Sequence, residues 1–197
     1  MTKIKICGLS RAADIEAVNH AMPDYIGFVF AESPRRVDAT LAAGLRKKLD
    51  KSIQAVGVFV DENPGVIAEL HRRGVIDIAQ LHGGEDEAYI ARLRTLCECP
   101  IIKAVRVGSE LPHLPRGADY LLFDSGAGGG KTFDWRVLDC YAGPPYFLAG
   151  GLSETNVATA CDRLQPYCVD VSSGVETGGV KDFEKIARFV NLVRGNL

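Results

Sequence analysis

Short apolar runs rich in β-branched residues alternate with longer segments of helical periodicity along the whole chain. The short runs predict eight strands, at residues 3–7, 25–30, 53–60, 76–82, 101–107, 120–124, 146–148 and 168–171. The longer segments predict helices at residues 12–21, 39–49, 64–73, 85–96, 134–141, 154–164 and 182–194. The connection after the fifth strand carries Pro112 and Pro115, so we expect a reduced fifth helix there.

This alternation of β and α elements indicates an α/β protein with a parallel sheet. Eight strands in 197 residues, at about 25 residues per unit, favour closure into a compact (β/α)8 TIM barrel. The length suits one domain, so we expect a single catalytic barrel over residues 1–197. A doubly wound open sheet is the alternative, weakened because no GxGxxG motif follows the first strand.

Charge and hydropathy narrow the classes of partner. The chain has 23 basic and 25 acidic residues and no basic run, which argues against nucleic acid as a partner. Its longest apolar stretches are strand-sized, and its first residues lack the apolar core of a secretory signal. We therefore expect a cytoplasmic protein without a membrane partner. The six cysteines form no CxxC pair, so we expect reduced thiols and no metal site.

In a barrel of this type, functional groups collect at the C-terminal ends of the strands. The first strand ends in Cys7, which shares the inward face with Lys5 because side chains alternate along a strand. An ammonium group near a thiol favours the thiolate, so Cys7 is a candidate base, with a buried inert cysteine as the alternative. The sixth strand ends in Asp124, a candidate proton donor because partial burial raises a carboxyl pKa. A carboxylate that only caps the next loop is equally compatible.

Glycine and serine follow the last two strands. The seventh strand leads into Gly150 and Gly151, and the eighth leads into Ser172, Ser173 and Gly174. These two loops are the usual phosphate site of the fold, where backbone N–H groups and a short helix bind the anion. We therefore predict a phosphate site here, with simple tight turns as the alternative.

Three further segments carry candidate substrate contacts. Arg35 and Arg36 follow Pro34 after the second strand, where a guanidinium could bind a carboxylate in bidentate fashion. A solvated basic loop is the alternative, which the spacing alone slightly favours. His82 ends the fourth strand and can contact substrate or be structural. The glycine-rich segment 126–130 does not have the glycine spacing of a P-loop, and we interpret it as a lid.

Taken together in order, these segments resemble phosphoribosylanthranilate isomerase. Each motif is weak alone, but the ordered set spans nearly the whole chain and is specific. The motifs are KICG (5–8), GFVF (27–30), SPRR (33–36), VGVFV (56–60), QLHG (80–83), LFD (122–124), GGKTFDW (129–135), AGGL (149–152) and VDVSSGVE (169–176).

The resemblance implies an isomerase of tryptophan biosynthesis. Its substrate would be N-(5-phosphoribosyl)anthranilate, and an Amadori rearrangement would give 1-(2-carboxyphenylamino)-1-deoxyribulose 5-phosphate. The resemblance makes Cys7 the general base and Asp124 the general acid. Such a reaction only relocates protons, so it would need no metal and no other cofactor.

The same resemblance assigns the substrate carboxylate to Arg36, although the adjacent Arg35 leaves the choice open. Lys5, His82 and Asp170 are further candidate substrate contacts. A related aminoaldose isomerase of histidine biosynthesis is the nearest rival, but its family carries an aspartate where Cys7 stands. A non-catalytic barrel that binds a phosphorylated metabolite is the rival from another class. We expect a monomer, with a homodimer as the alternative.

Overall fold

Eight parallel strands, each paired with the next in the chain, form the centre of the molecule, and the last strand pairs with the first to close a barrel. The computed structural model describes residues 1–126 and 132–195. The strands are β1 (Lys3–Cys7), β2 (Tyr25–Val29), β3 (Gln54–Phe59), β4 (Ile78–Leu81), β5 (Ile101–Arg106), β6 (Tyr120–Asp124), β7 (Tyr146–Leu148) and β8 (Cys168–Val171). The predicted TIM barrel is thus confirmed, and the open sheet was the wrong alternative.

Helices cover the outside of the barrel. They are α1 (Ala12–Ala21), α2 (Ala39–Arg46), α3 (Pro64–Arg72), α4 (Glu87–Leu96), α5 (Val157–Leu164) and α6 (Phe183–Arg194). Most begin at a polar residue that accepts a hydrogen bond from a backbone N–H of the first turn, as the side chains of Asp38, Asp86 and Asp182 do. These helices and the strands end within three residues of the predicted positions. Among the described residues, no helix is long and apolar enough to cross a membrane.

Two connections between strands lack an α-helix in the residues that the structure describes, the first as expected and the second not. Residues 107–119, between β5 and β6, contain no α-helix, because Pro112 and Pro115 interrupt a segment that is already short. The helix expected at 134–141 is only a 3₁₀ turn, Trp135–Leu138, capped by Asp134. A small antiparallel hairpin after β8, formed by β9 (Glu176–Thr177) and β10 (Val180–Lys181), was not predicted.

Two apolar layers explain which side chains face the site. The side chains of Ile4 and Ile6 pack in the outer layer, between the barrel and the helices. The inner layer fills the barrel and consists of Tyr25, Val56, Ile78, Ile102, Leu122, Phe147, Ala149 and Cys168. Because β1 alternates, Lys5 lies on the inward face and is fully buried, and Cys7 lies one step higher on that face. The predicted orientation of β1 is confirmed.

Candidate active site

A cavity of about 320 Å³ opens at the C-terminal ends of the strands, above the inner apolar layer. It brings together most of the predicted site residues, namely Cys7, His82, Asp124, Gly150, Gly151, Asp170, Ser172 and Ser173. Arg35 also lines it, whereas Lys5, Arg36 and Gly174 do not. The predicted lid segment, 126–130, falls largely outside the described residues.

Cys7 lies at the end of β1 between charged neighbours. Below it, Lys5 forms a buried ion pair with Asp170 of β8, with 2.8 Å between Nζ and Oδ2. Burial raises the pKa of the Cys7 thiol, and the ammonium groups of Lys5 and Lys181 oppose that rise. Burial lowers the pKa of Lys5, but the Asp170 carboxylate raises it by more, so the pKa is raised overall and Lys5 stays cationic. The thiol therefore lies in a positively charged, water-poor environment.

Asp124 faces the same cavity from the end of β6. One carboxylate oxygen accepts a hydrogen bond from the backbone N–H of Gly126, at 2.9 Å. The other lies 3.7 Å from Nε2 of His82. Nδ1 of His82 lies 2.9 Å from the side-chain amide nitrogen of Gln80, and a neutral ring that accepts this hydrogen bond carries its proton on Nε2, towards Asp124. Burial lowers the pKa of His82, which favours this neutral form.

Each of the two predicted phosphate loops has a glycine at a position where neighbouring backbone leaves no space for a side chain. Gly150 has a φ of +82°, and a Cβ there would lie 2.6 Å from the backbone nitrogen of Ser125. A Cβ on Gly174 would lie 2.0 Å from the carbonyl oxygen of Leu152. Gly174 thus packs the loop after β8 against the loop after β7, although it does not line the cavity itself. Backbone this close to the cavity is suited to an anion.

The two arginines after β2 have different surroundings. Arg35 lines the cavity and donates two hydrogen bonds of 2.7 Å to the carboxylate of Glu176. Arg36 lies outside the cavity lining, is half exposed and pairs with the exposed Glu32. The guanidinium of Arg35 therefore binds a buried protein carboxylate, whereas that of Arg36 pairs with a solvated one.

Sequence reasoning missed the contribution of the β9–β10 hairpin. Lys181 and Glu176, one from each of its strands, form a buried ion pair of 2.5 Å next to the loop after β8. The signal was present in the adjacent Gly178 and Gly179, both with positive φ, because such a pair is typical of a two-residue hairpin turn.

Comparison with known proteins agrees with this geometry. The family model described as N-(5′-phosphoribosyl)anthranilate isomerase matches residues 4–192. A relative of that name from Endomicrobium trichonymphae is 49% identical, covering 98% of this chain and 99% of its own. One from Caldanaerobacter subterraneus subsp. tengcongensis is 45% identical, with 99% of both chains covered.

Solved structures of this type have the same fold. The phosphoribosyl anthranilate isomerase of Thermus thermophilus has a TM-score of 0.87 at 28% identity, with 100% of both chains covered. A phosphoribosyl anthranilate isomerase in complex with reduced 1-(O-carboxyphenylamino)-1-deoxyribulose 5-phosphate has a TM-score of 0.82 at 30% identity, covering 99% of this chain and 100% of its own. These matches do not favour the histidine-pathway or non-catalytic alternatives. The chain therefore belongs to the N-(5′-phosphoribosyl)anthranilate isomerase family, the isomerases of tryptophan biosynthesis.

Proposed function

We propose that this chain isomerises N-(5′-phosphoribosyl)anthranilate with Cys7 as the general base and Asp124 as the general acid. The observation that carries the proposal is their position. The thiol comes from the first strand and the carboxyl from the sixth, and both line one cavity with the loops after β7 and β8. A phosphorylated sugar held by those loops would have both groups beside its ribose carbons.

The two groups then assist the first two proton transfers of the reaction. Asp124 protonates the ring oxygen of the ribose, and the ring opens to a Schiff base between the anthranilate nitrogen and C1′. The Cys7 thiolate removes the proton from C2′, and the resulting enolamine tautomerises to the ketone product. General acid and base groups typically supply about 10²- to 10⁴-fold each. Positioning supplies the remainder, and the substrate's phosphate and carboxylate are the natural anchors for it.

The phosphate anchor is assigned to the segments 150–151 and 172–174, and Asp170 borders the sugar between them and Cys7. Lys5 acts from beneath, through Asp170 and Cys7, because it is fully buried. His82 borders the acid, and its Nε2 proton can stabilise the Asp124 carboxylate once the carboxyl has given up its proton.

The carboxylate anchor is assigned to Arg36. Its only ion-pair partner in the described part of the chain is the exposed Glu32, and a substrate carboxylate could displace that partner at little cost. Arg36→Met should therefore raise KM with little change in kcat. Arg35→Met should instead disturb Glu176 and lower stability, because it removes a bidentate partner. A normal KM in the Arg36 variant would reassign the carboxylate.

The decisive experiment is turnover by Cys7→Ala, followed as the fluorescence of the substrate is lost. We expect kcat to fall by at least about 10²-fold while KM changes little. Cys140→Ala removes an exposed thiol that does not line the cavity and is the matched control, with unchanged kcat. Near-normal kcat in Cys7→Ala would reject the assigned base.

We also propose that the protein works as a monomer in the cytoplasm, where phosphorylated metabolites are retained. Its exposed large apolar side chains are spread over different elements, including Leu41 on α2, Leu96 on α4 and Phe183 on α6. Scattered residues of this kind do not form the contiguous patch that a stable interface needs. A homologous isomerase from Thermotoga maritima is described as dimeric, so light scattering at micromolar concentration is the test. A mass of two chains would overturn the monomer.

A further inference from the structure

We infer that Lys181, on the β9–β10 hairpin, is a positioning residue for the base: its buried ammonium group stabilises the Cys7 thiolate and fixes the strand end that carries it. The inference rests on the proposed function, since it gives the base its charged partner. Sequence reasoning offered no reason to single out Lys181, and it does not line the cavity. It acts from behind the loop that follows β8.

Direct contacts connect Lys181 to Cys7 through one residue. The Nζ of Lys181 donates to the carbonyl oxygen of Ser172 at 3.0 Å and lies 3.3 Å from its hydroxyl. That hydroxyl donates to the carbonyl oxygen of Cys7 at 3.0 Å. The side chain of Lys181 is only 2% exposed, so water screens its charge poorly. The ammonium group thus holds both the phosphate loop and the end of β1 in place.

On the side of β1, β8 and the hairpin, the charges next to Cys7 do not cancel unless the thiol ionises. Among the described residues, the charged groups on that side are three cations and two carboxylates, namely Lys5, Lys181, Arg35, Asp170 and Glu176, while Asp124 lines the same cavity from β6. Lys5 is paired with Asp170, but Glu176 is shared by two cations. One positive charge is left over in a largely buried cluster, and a thiolate at Cys7 would neutralise it.

The direction of the effect follows from the surroundings of each group. Burial raises the pKa of Cys7, which opposes catalysis near neutral pH, and Lys5 and Lys181 are the two cations that lower it. Burial also lowers the pKa of Lys181, whereas Glu176 and Cys7 raise it. Lys5 forms an ion pair with Asp170, so the excess positive charge that a thiolate would neutralise lies at the β9–β10 hairpin, which carries Lys181.

The test is the rate at which iodoacetamide alkylates Cys7, measured across pH by mass spectrometry of the peptide that contains it. In Lys181→Met we expect the profile to move to higher pH, with alkylation at neutral pH at least about tenfold slower, since an opposite charge nearby is worth about one to three pKa units. The acid limb of the kcat profile should move with it. Lys181→Arg keeps the charge and should keep most of the rate.

Two further variants separate charge from loop anchoring. Lys185→Met removes a lysine that donates to the backbone carbonyl of Glu176 at 2.8 Å, so it loosens the hairpin without removing a charge from the cluster. We expect it to leave the alkylation profile unchanged. Glu176→Gln removes an anion instead, and its profile should move to lower pH. Misfolding that exposes the thiol would move the profile in the same direction, so this variant must first show the circular dichroism and urea midpoint of a folded protein.

An unchanged profile in a folded Lys181→Met variant would overturn the inference, as would an equal shift in Lys185→Met. If Lys181→Met does not fold, Glu176→Gln decides, and an unchanged or upward-shifted profile overturns the inference. Alkylation needs no turnover, so this result is independent of whether Cys7 is the base. A Cys7→Ala variant with normal kcat would refute the proposed function and leave the alkylation result readable.

Discussion

Gly27 offers a sharp test of how tightly Cys7, the proposed base, must be held. It lies on β2 directly beside Cys7, its partner in the parallel pairing of β1 and β2. Its carbonyl oxygen accepts hydrogen bonds from the backbone N–H groups of Gly8 and Leu9, at 2.9 and 3.1 Å. Its φ is not in the left-handed region, so alanine fits the backbone conformation. Gly27→Ala therefore adds one methyl group against Cys7 and changes little else.

The size of the disturbance follows from the distances. The added Cβ would lie 2.7 Å from Sγ of Cys7 and 3.1 Å from its Cα. Comfortable contacts between such atoms need about 3.5–4.0 Å, so the sulfur must retreat by roughly 1 Å. Rotation of the thiol cannot relieve the contact with Cα, so β1 and β2 must also separate slightly. A displacement of about 1 Å can cost about 10²-fold in rate, and overpacking costs about 1–3 kcal/mol of stability.

Steady-state turnover of Gly27→Ala, followed by loss of substrate fluorescence, tests this reasoning. We expect kcat to fall about 10²-fold with little change in KM, because the proposed phosphate anchor lies on the loops after β7 and β8 and the proposed carboxylate anchor, Arg36, lies beyond the end of β2. Urea denaturation should show the loss of stability in the same variant. If kcat stayed within about threefold of the parent value, the sulfur would not need its observed position and its role as base would be in doubt.

Three other variants follow from the same structure. Gly44→Ala places its Cβ where no atom lies within 4 Å, inside α2, so thermal melting should show a gain of up to about 1 kcal/mol with unchanged kcat. Glu85→Gln leaves the buried Lys103 unpaired and should cost about 3–5 kcal/mol in urea denaturation at pH 7. Burial raises the pKa of Glu85, but Lys103 and backbone N–H donors lower it more, so the pKa is lowered overall. The stability that the Glu85 carboxylate contributes is therefore present above pH about 4.5 and is lost as the pH falls. The difference in unfolding free energy between the parent and Glu85→Gln should narrow at low pH. Gly174→Ala forces the loop away from Leu152 and should raise KM about tenfold, a loss of about 1.4 kcal/mol in binding.

The barrel could be predicted because its signal is local. Each strand is buried on both faces and reads as a short apolar run, and most helices between the strands begin at a capping residue. The prediction was wrong at residues 134–141, where the apolar spacing of Trp135 and Leu138 suits a helix but only a 3₁₀ turn forms. Gly143 and the prolines that follow leave no room for another turn before β7.

The partners of the charged side chains could not be predicted, because they are distant in sequence. Arg35 binds Glu176 across 141 positions, and nothing in its own loop distinguishes it from Arg36. The choice between them depends on the hairpin after β8, whose strands have only two residues each. Periodicity cannot detect strands so short. The sequence signal for this hairpin is the pair of adjacent glycines at its turn, Gly178 and Gly179.

Closure of the barrel explains why the strands could be predicted and the partners of the charged side chains could not. Lys5 and Asp170 are 165 positions apart, yet they are direct partners in the pairing of β1 with β8. Cys7, the proposed base, therefore lies at the seam where the first strand meets the last, and Ser172, just past β8, donates its hydroxyl to the backbone of Cys7 across that same seam. A sequence that predicts a closed barrel of eight strands predicts that the first and last strands pair. It does not predict the register of that pairing, and the register decides which charged side chain lies next to the thiol. An open sheet of the same strands would separate Cys7 from Asp170 and leave Lys5 buried without its carboxylate, so the chemistry depends on closure as much as the stability does.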